Sequence, residues 1–161
     1  MPDASGAIEQ DMLLARDVTL LAETVREAGA LALSLFRTEL KNWTKGASSP
    51  VSEADIAVND LVESRLRAAT PEYGWLSEES ADDESRLDRR LTWIIDPIDG
   101  TRGYLAGRED WCVSVALVEG NRPLLAAKKN SSVDGANTAA STGVASATSA
   151  MLTHQSSRWA R

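Results

Sequence analysis

The sequence predicts an α+β fold in which helices pack on a mixed β-sheet. The first observation is a helical periodicity near the N-terminus, where apolar residues recur at alternating spacings of four and three. The second is a set of short apolar runs later in the chain, each bounded by glycine, proline or polar residues. The third is the stretch from Trp93 to Thr101, which is apolar at first and then acidic. We expect two long N-terminal helices against a mixed, mostly antiparallel sheet.

Length and charge restrict the class of protein. The chain has 161 residues, the usual size of one domain, and a net charge of −7. The acidic balance argues against a nucleic-acid polymer as partner. No run has the length of a membrane span, and the N-terminus lacks the apolar segment of a secretory signal. We therefore expect a cytoplasmic protein without a membrane partner, and a buried, inert thiol at Cys112, the only cysteine.

The N-terminal periodicity predicts a helix over residues 8–40, with Gly29 close to its apolar stripe. Residues 41–49 are polar and are interpreted as a connector that contains Lys45. A lysine in a connector is usually solvated. The stripe of the helix consists of Leu14, Val18, Leu21, Val25, Ala28, Ala32 and Leu35.

A second helix is predicted from Pro50 to about Ala69. Ser52 is a favourable N-cap residue, and Asp55 stands three residues later, where a capping box places its acidic or amide side chain. An aspartate in the first turn also complements the helix dipole.

Residues 73–77 predict a short strand that leads into Glu78 and Glu79. The following residues, 80–90, are charged and predict a solvated loop. Its acidic residues are interpreted as surface charge and not as ligands: Asp82, Asp83, Glu84 and Asp88.

The central strand is formed by bulky, β-favouring residues, Trp93–Ile95, and is expected to be buried on both faces. Pro97 lacks an N–H, which predicts that the strand ends at Asp96. Gly100 permits a sharp bend, and Thr101 can cap the segment that follows.

Two more strands are expected after a short connection at residues 102–110. Residues 111–119 carry apolar side chains on both faces, and a turn at residues 120–121 leads to a strand that begins at residue 122 and includes residues 124–127.

The apolar pattern stops near Lys128. Residues 128–161 have no periodic apolar face, so we predict a domain over residues 1–127 followed by a weakly ordered tail, in which His154 is exposed and idle. The abrupt change favours the hypothesis that a frameshift has replaced the true continuation by an out-of-frame tail. A natural end of the protein is the alternative.

The acidic residues around the central strand form a candidate metal site. If Glu78, Asp96 and Asp99 converge, two such charges about 4 Å apart repel by about 4 kcal/mol at an effective dielectric constant of about 20. Protons, basic side chains or a hard cation must offset this repulsion. A cluster of carboxylate oxygens is the kind of site that Mg²⁺ prefers.

A resemblance supports this hypothesis. Residues 96–101, Asp-Pro-Ile-Asp-Gly-Thr, follow Ser-Glu-Glu-Ser at residues 77–80. This arrangement resembles the signature of the inositol monophosphatase superfamily, whose members are Mg²⁺-dependent, lithium-sensitive phosphomonoesterases. The resemblance implies a layered α/β/α/β/α sandwich, of which residues 14–127 correspond to the N-terminal half.

The resemblance also implies roles for individual residues. Glu78, Asp96, Asp99 and the Ile98 carbonyl would bind Mg²⁺.

Thr101 and Asp55 would orient the attacking water, with Glu78 also catalytic. The backbone N–H groups of Gly100 and Thr101 would bind the substrate phosphate, and Lys45 is a further candidate near metal and phosphate.

The resemblance implies a small phosphorylated metabolite as substrate and a homodimer for the full-length family member. Residues 101–107, Thr-Arg-Gly-Tyr-Leu-Ala-Gly, look closer to the histidinol phosphatase or 3'(2'),5'-bisphosphate nucleotidase branches than to inositol monophosphatases proper, so these remain alternatives. The family's C-terminal Trp-Asp metal motif is absent from the sequence. A catalytically inactive remnant or interaction module is therefore a further alternative. A Ca²⁺-binding loop protein is not favoured, because the EF-hand spacing of alternating oxygen ligands and a terminal Glu is absent.

Overall fold

A computed structural model describes residues 4–131, which form two long helices packed against a four-stranded sheet. The predicted α+β architecture is confirmed. None of the helices within the described part of the chain is long and apolar enough to cross a bilayer. In chain order the elements are α1 (Ala4–Leu35), β1 (Asn42–Lys45), β2 (Ser49–Ser52), α2 (Glu53–Ala69), β3 (Gly74–Ser77), a 3₁₀ helix (Glu84–Asp88), β4 (Leu91–Asp99), α3 (Thr101–Leu105), β5 (Cys112–Glu119) and β6 (Arg122–Asn130).

The main sheet has the strand order β3-β4-β5-β6. Strand β3 runs parallel to β4, whereas the β4–β5 and β5–β6 pairs are antiparallel. The sheet is therefore mixed and mostly antiparallel, as predicted. Strands β1 and β2 form a separate antiparallel hairpin.

The core lies between the two long helices and one face of the main sheet. Val25 of α1 and Val62 of α2 are fully buried there, together with Trp93 and Ile95 of β4. The Trp93 indole N–H donates a hydrogen bond of 2.9 Å to the hydroxyl of Thr70, which follows α2. Burying these apolar side chains is the main source of stability in such a layered fold.

The opposite face of the sheet is buried as well. Leu76, Ile94 and Val118 form a small apolar cluster on that face, and Ala116 and Ala126 form another. Their exposed fractions lie between 2% and 8%. The prediction that both faces of the strand at residues 111–119 are covered is confirmed.

Helix α1 ends at Leu35 and not at residue 40 as predicted. The segment 41–49, predicted to be a connector, contains β1 and the first residue of β2. Trp43 pairs with Val51 in this hairpin. The prediction was wrong because the pairing joins residues on both sides of a turn, and neither short strand has enough apolar alternation to be recognised alone.

Strand β4 continues to Asp99, so the predicted end at Asp96 is wrong. Asp96 pairs with Ser114 and Asp99 pairs with Cys112, and the register shifts between these two pairs. Pro97 lies inside this irregular segment. A proline without an N–H is tolerated at such a position because the regular ladder is interrupted there.

Helix α3 occupies the first part of the segment predicted as a connection at residues 102–110. It is preceded by Gly100, whose φ of 97° is rarely adopted by residues with a side chain. A Cβ atom at Gly100 would also lie 2.6 Å from the Asp110 carbonyl oxygen. Both constraints require glycine at the bend.

Strand β6 continues to Asn130. Regular structure therefore extends three residues beyond Ala127, into the segment that was predicted to be a weakly ordered tail. Lys128 and Lys129 pair with Ser114 and Val113 of β5. Residues 132–161, including His154, lie outside the described residues.

Leu117 and Leu87 allow a matched test of this fold. Leu117 is fully buried in the core, and Leu87 is 69% exposed on the 3₁₀ helix. We expect Leu117→Ala to lower the free energy of unfolding by about 2–5 kcal/mol through lost burial and a cavity. Leu87→Ala should change it by less than about 0.5 kcal/mol. Urea unfolding measures both, and equal effects would contradict the described core.

Candidate active site

A cavity of about 470 Å³ opens where β3 and β4 end. These strands are parallel, so their carboxyl ends meet at the same edge of the sheet. Glu78 follows β3, and Asp96 and Asp99 lie in the last part of β4. The chemistry-bearing residues that line the cavity are Lys45, Glu78, Glu79, Asp96, Ile98, Asp99, Gly100, Thr101 and Arg102. The structure thus places every predicted site residue except Asp55 in the lining of one cavity.

Thr101 connects the cavity to the interior. Its hydroxyl Oγ1 lies 2.9 Å from Asp55 Oδ1 and 3.0 Å from the Ile98 carbonyl oxygen. The hydroxyl has a single proton, so it donates to one of these acceptors at a time. The Ile98 side chain is 2% exposed and anchors this turn in the core.

Asp55 is buried behind Thr101, with 1% of its surface exposed. Its Oδ2 accepts hydrogen bonds from the Ser52 backbone N–H at 2.8 Å and from the Ser52 hydroxyl at 2.7 Å. The capping contact predicted from the sequence therefore forms. Burial raises the pKa of Asp55, although the hydrogen bonds from Ser52 and Thr101 act in the opposite direction.

Lys45 reaches the site from the β1–β2 hairpin. Its ammonium group donates a hydrogen bond to the backbone carbonyl of Glu78 and lies 3.9 Å from Glu79 Oε2. The Lys45 side chain is 55% exposed. The hairpin thus places a positive charge beside the acidic residues that follow β3.

Asp99 has two neighbours from other strands. The Lys128 ammonium of β6 lies 3.7 Å from Asp99 Oδ2, and the Cys112 thiol of β5 lies 3.9 Å from the same oxygen. The pKa of Cys112 is raised to about 11, mainly by burial. The positive charge of Lys128 lowers this pKa, whereas the negative charges of Asp99 and Asp96 raise it further. The thiol is therefore protonated at neutral pH, in agreement with the predicted inert, buried cysteine.

A polar network fixes the turn that carries Glu78 and Glu79. The Ser77 hydroxyl donates to Asn59 Oδ1 at 2.5 Å and accepts the Glu79 backbone N–H at 3.2 Å. The Asn59 amide donates to the Ser80 hydroxyl at 3.1 Å. Asn59 was not recognised in the sequence, because only the packing of α2 against β3 reveals its partner.

The donor set agrees in kind with Mg²⁺. Carboxylate groups and the Ile98 carbonyl supply oxygen ligands only, and they face one cavity. Within residues 4–131, no three acidic, histidine or cysteine side chains converge closely enough to form a metal cluster in this conformation. The residues therefore fit the ion by chemistry and by location. Their side chains would have to move closer together to bind it.

The sequence profile of the inositol monophosphatase family matches residues 14–153. The chain belongs to the inositol monophosphatase family. The resemblance expected from the acidic motifs is confirmed, and the match continues beyond the predicted limit at residue 127.

Two curated relatives and one solved structure illustrate the similarity. The 3'-phosphoadenosine 5'-phosphate phosphatase of Mycobacterium leprae is 43% identical over 105 residues, which are 63% of this chain and 36% of the relative. The histidinol-phosphatase of Chlorobaculum parvum is 40% identical over 106 residues, 65% of this chain and 40% of the relative. The suhB protein of Bartonella henselae shares the fold with a TM-score of 0.66 and 27% identity, over 70% of this chain and 44% of that protein.

The chain thus spans less than half the length of these inositol monophosphatase family members. The part of the chain that matches the family includes every residue that lines the cavity, because these residues fall between positions 45 and 102.

The raised pKa of Asp55 predicts a pH dependence of stability. A carboxyl group whose folded pKa lies above its ordinary value of about 3.9 stabilises the fold below that value and loses this contribution as the pH rises through the folded pKa. We expect the free energy of unfolding of the wild type, minus that of Asp55→Asn, to fall as the pH rises from about 4.

Asp82 serves as the opposite case. Its pKa is lowered by the hydrogen bonds from Arg86, so the difference between the wild type and Asp82→Asn should rise as the pH increases through the interval just below its ordinary value. Urea unfolding at a series of pH values measures both slopes. A rising slope for Asp55 would contradict the burial argument.

Proposed function

We propose that the protein hydrolyses a small phosphate monoester with the help of Mg²⁺, as part of an inositol monophosphatase-type active site. The supporting observation is the position of the Thr101 hydroxyl, which lies within hydrogen-bond distance of both the buried Asp55 carboxylate and the Ile98 carbonyl at the edge of the acidic cavity. The hydroxyl thus stands between a carbonyl that could bind a metal ion and a carboxylate that could accept a proton. The proposed activity is that of a phosphoric monoester hydrolase.

Glu78, Asp96, Asp99 and the Ile98 carbonyl are the residues that would hold Mg²⁺. Bound Mg²⁺ would polarise a phosphate oxygen and lower the pKa of a bound water. The carboxylates face a cavity that must also admit an anionic phosphate, so their charge has to be neutralised before substrate can enter. The positive charge of Lys45 beside Glu79 contributes to this neutralisation.

Thr101 would orient the attacking water. When its hydroxyl donates to Asp55, its oxygen could accept a hydrogen bond from water in the cavity. Burial raises the pKa of Asp55, which makes this carboxylate a better proton acceptor than an exposed one. The water proton would pass through the Thr101 hydroxyl towards Asp55 as the water oxygen attacks phosphorus.

The substrate phosphate would lie beside the bend at Gly100. The backbone N–H groups of Gly100 and Thr101 are proposed to donate to its oxygens, as expected from the sequence resemblance. Water would attack in line, a new P–O bond would form as the ester P–O bond breaks, and the ester oxygen would leave and take a proton from solvent water to give the alcohol. No covalent enzyme intermediate would form. Positioning and charge neutralisation would supply most of the acceleration.

The substrate class includes several candidates. One relative is named a 3'-phosphoadenosine 5'-phosphate phosphatase and another a histidinol-phosphatase. We propose assays with these two substrates beside inositol 1-phosphate. Their relative rates would assign the branch, and a homodimer, expected for the full-length family member, would be tested by light scattering.

Asp96→Asn tests the proposed metal dependence. We expect Mg²⁺-dependent phosphate release by the 161-residue chain to fall more than about a hundredfold, because loss of an outer-shell partner alone typically costs about 10–100-fold. Asp88→Asn, an exposed aspartate on the 3₁₀ helix, is the matched control and should retain activity. A folded wild-type chain without turnover on any of the three substrates would instead support the inactive alternative.

Thr101→Val tests the role of the hydroxyl. This nearly isosteric change removes the group that contacts both Asp55 and the Ile98 carbonyl. We expect kcat to fall by about 10²–10⁴, the range typical of positioned proton transfer. Thr101→Ser keeps the hydroxyl and should retain most of the rate. Equal losses in the two variants would show that the hydroxyl is not the important feature.

A further inference from the structure

Lys128 shares a row of the sheet with the acidic site. Asp96 of β4 pairs with Ser114 of β5, and Ser114 pairs with Lys128 of β6. Directly opposite residues in antiparallel strands project to the same face of a sheet. The Lys128 side chain therefore leaves the sheet on the face that carries Asp96.

The ammonium group of Lys128 forms an ion pair with Asp99. Its nitrogen lies 3.7 Å from Asp99 Oδ2, and the side chains of the two residues are 35% and 45% exposed. The Cys112 thiol contacts the same carboxylate oxygen at 3.9 Å. Asp99 thus has a positive charge of the chain itself next to the oxygen that would bind a metal ion.

The neighbouring residues face the other way, which makes the placement of Lys128 specific. Ala127 is 1% exposed and belongs to the core beneath the helices. The stem of Lys129 packs on Gly29 of α1, where a Cβ atom would lie only 2.2 Å from Lys129 Cγ. Of two adjacent lysines, one is thus directed to the carboxylates and the other to the helix layer.

We propose that Lys128 is an internal counter-cation of the acidic site, which a divalent ion must displace from Asp99 in order to bind. The proposal rests on the metal site of the proposed function. A lysine ammonium is a compact charge on a flexible stem, so it can pair with Asp99 and move away when a divalent ion competes. Lys128 thereby weakens metal binding and sets the concentration of metal at which the site fills.

The effect expected from one partly exposed charge pair is modest. Neutralising Lys128 should tighten metal binding about fivefold, the order given by charge pairs near a protein surface. The difference should shrink as salt is raised, because the pair is open to screening.

The test measures Mn²⁺ binding to the 161-residue chain in the absence of substrate. Electron paramagnetic resonance and calorimetry both report the affinity. We expect Lys128→Met to bind Mn²⁺ about fivefold more tightly than the wild type. Lys128→Gln should do the same, and it provides a polar alternative if the methionine variant is unstable. Lys128→Arg keeps the charge and should not bind more tightly.

Lys129→Met is the matched control. It changes the net charge by the same amount, but its side chain lies on the opposite face of β6, beside α1. Its affinity for Mn²⁺ should equal that of the wild type. Equal tightening in Lys128→Met and Lys129→Met would overturn the proposal in favour of a general charge effect.

Unchanged or weaker binding in both neutral Lys128 variants would also overturn the counter-cation role. If the wild type still bound Mn²⁺ in that case, the proposed metal-dependent function would stand. If no variant, including the wild type, bound Mn²⁺, the metal site itself would be refuted, and both proposals with it.

Discussion

Strand β4 combines two opposing physical requirements within nine residues. Its first part buries Trp93 and Ile95 beneath the helices, whereas its end presents Asp96 and Asp99 to the cavity. Side chains at neighbouring strand positions project to opposite faces, so Asp96 can follow the buried Ile95 directly. Ile98 lies in the core again, and the register shift between the two aspartates accommodates Pro97. The cavity and the core therefore depend on the same strand.

The Asp55–Thr101 hydrogen bond links the segment that follows β4 to helix α2. A buried carboxylate is costly unless donors compensate it, and Asp55 accepts hydrogen bonds from the Ser52 backbone, the Ser52 hydroxyl and Thr101. The same side chain caps α2 and holds Thr101 at the start of α3. Its structural and proposed catalytic roles are therefore compatible, because different carboxylate oxygens serve them.

The acidic cavity imposes a charge problem on any phosphate chemistry. Glu78, Asp96 and Asp99 would repel one another and an incoming phosphate. Lys45 approaches from the hairpin and Lys128 from strand β6, so the chain supplies part of the compensating charge. A divalent ion would supply the remainder, and its affinity would then depend on how strongly these lysines compete.

The sequence sufficed to predict the helix–sheet architecture, the buried central strand and the family, because periodicity, β-favouring runs and the motif at residues 96–101 are local signals. It also indicated the capping role of Asp55, which depends on a spacing of three residues. Three features could not be predicted from the sequence: the hairpin at residues 42–52, the continuation of β4 to Asp99 and the position of Lys128 at the site. These features depend on the register between segments distant in the chain, and a strand's local sequence does not encode its partner's register.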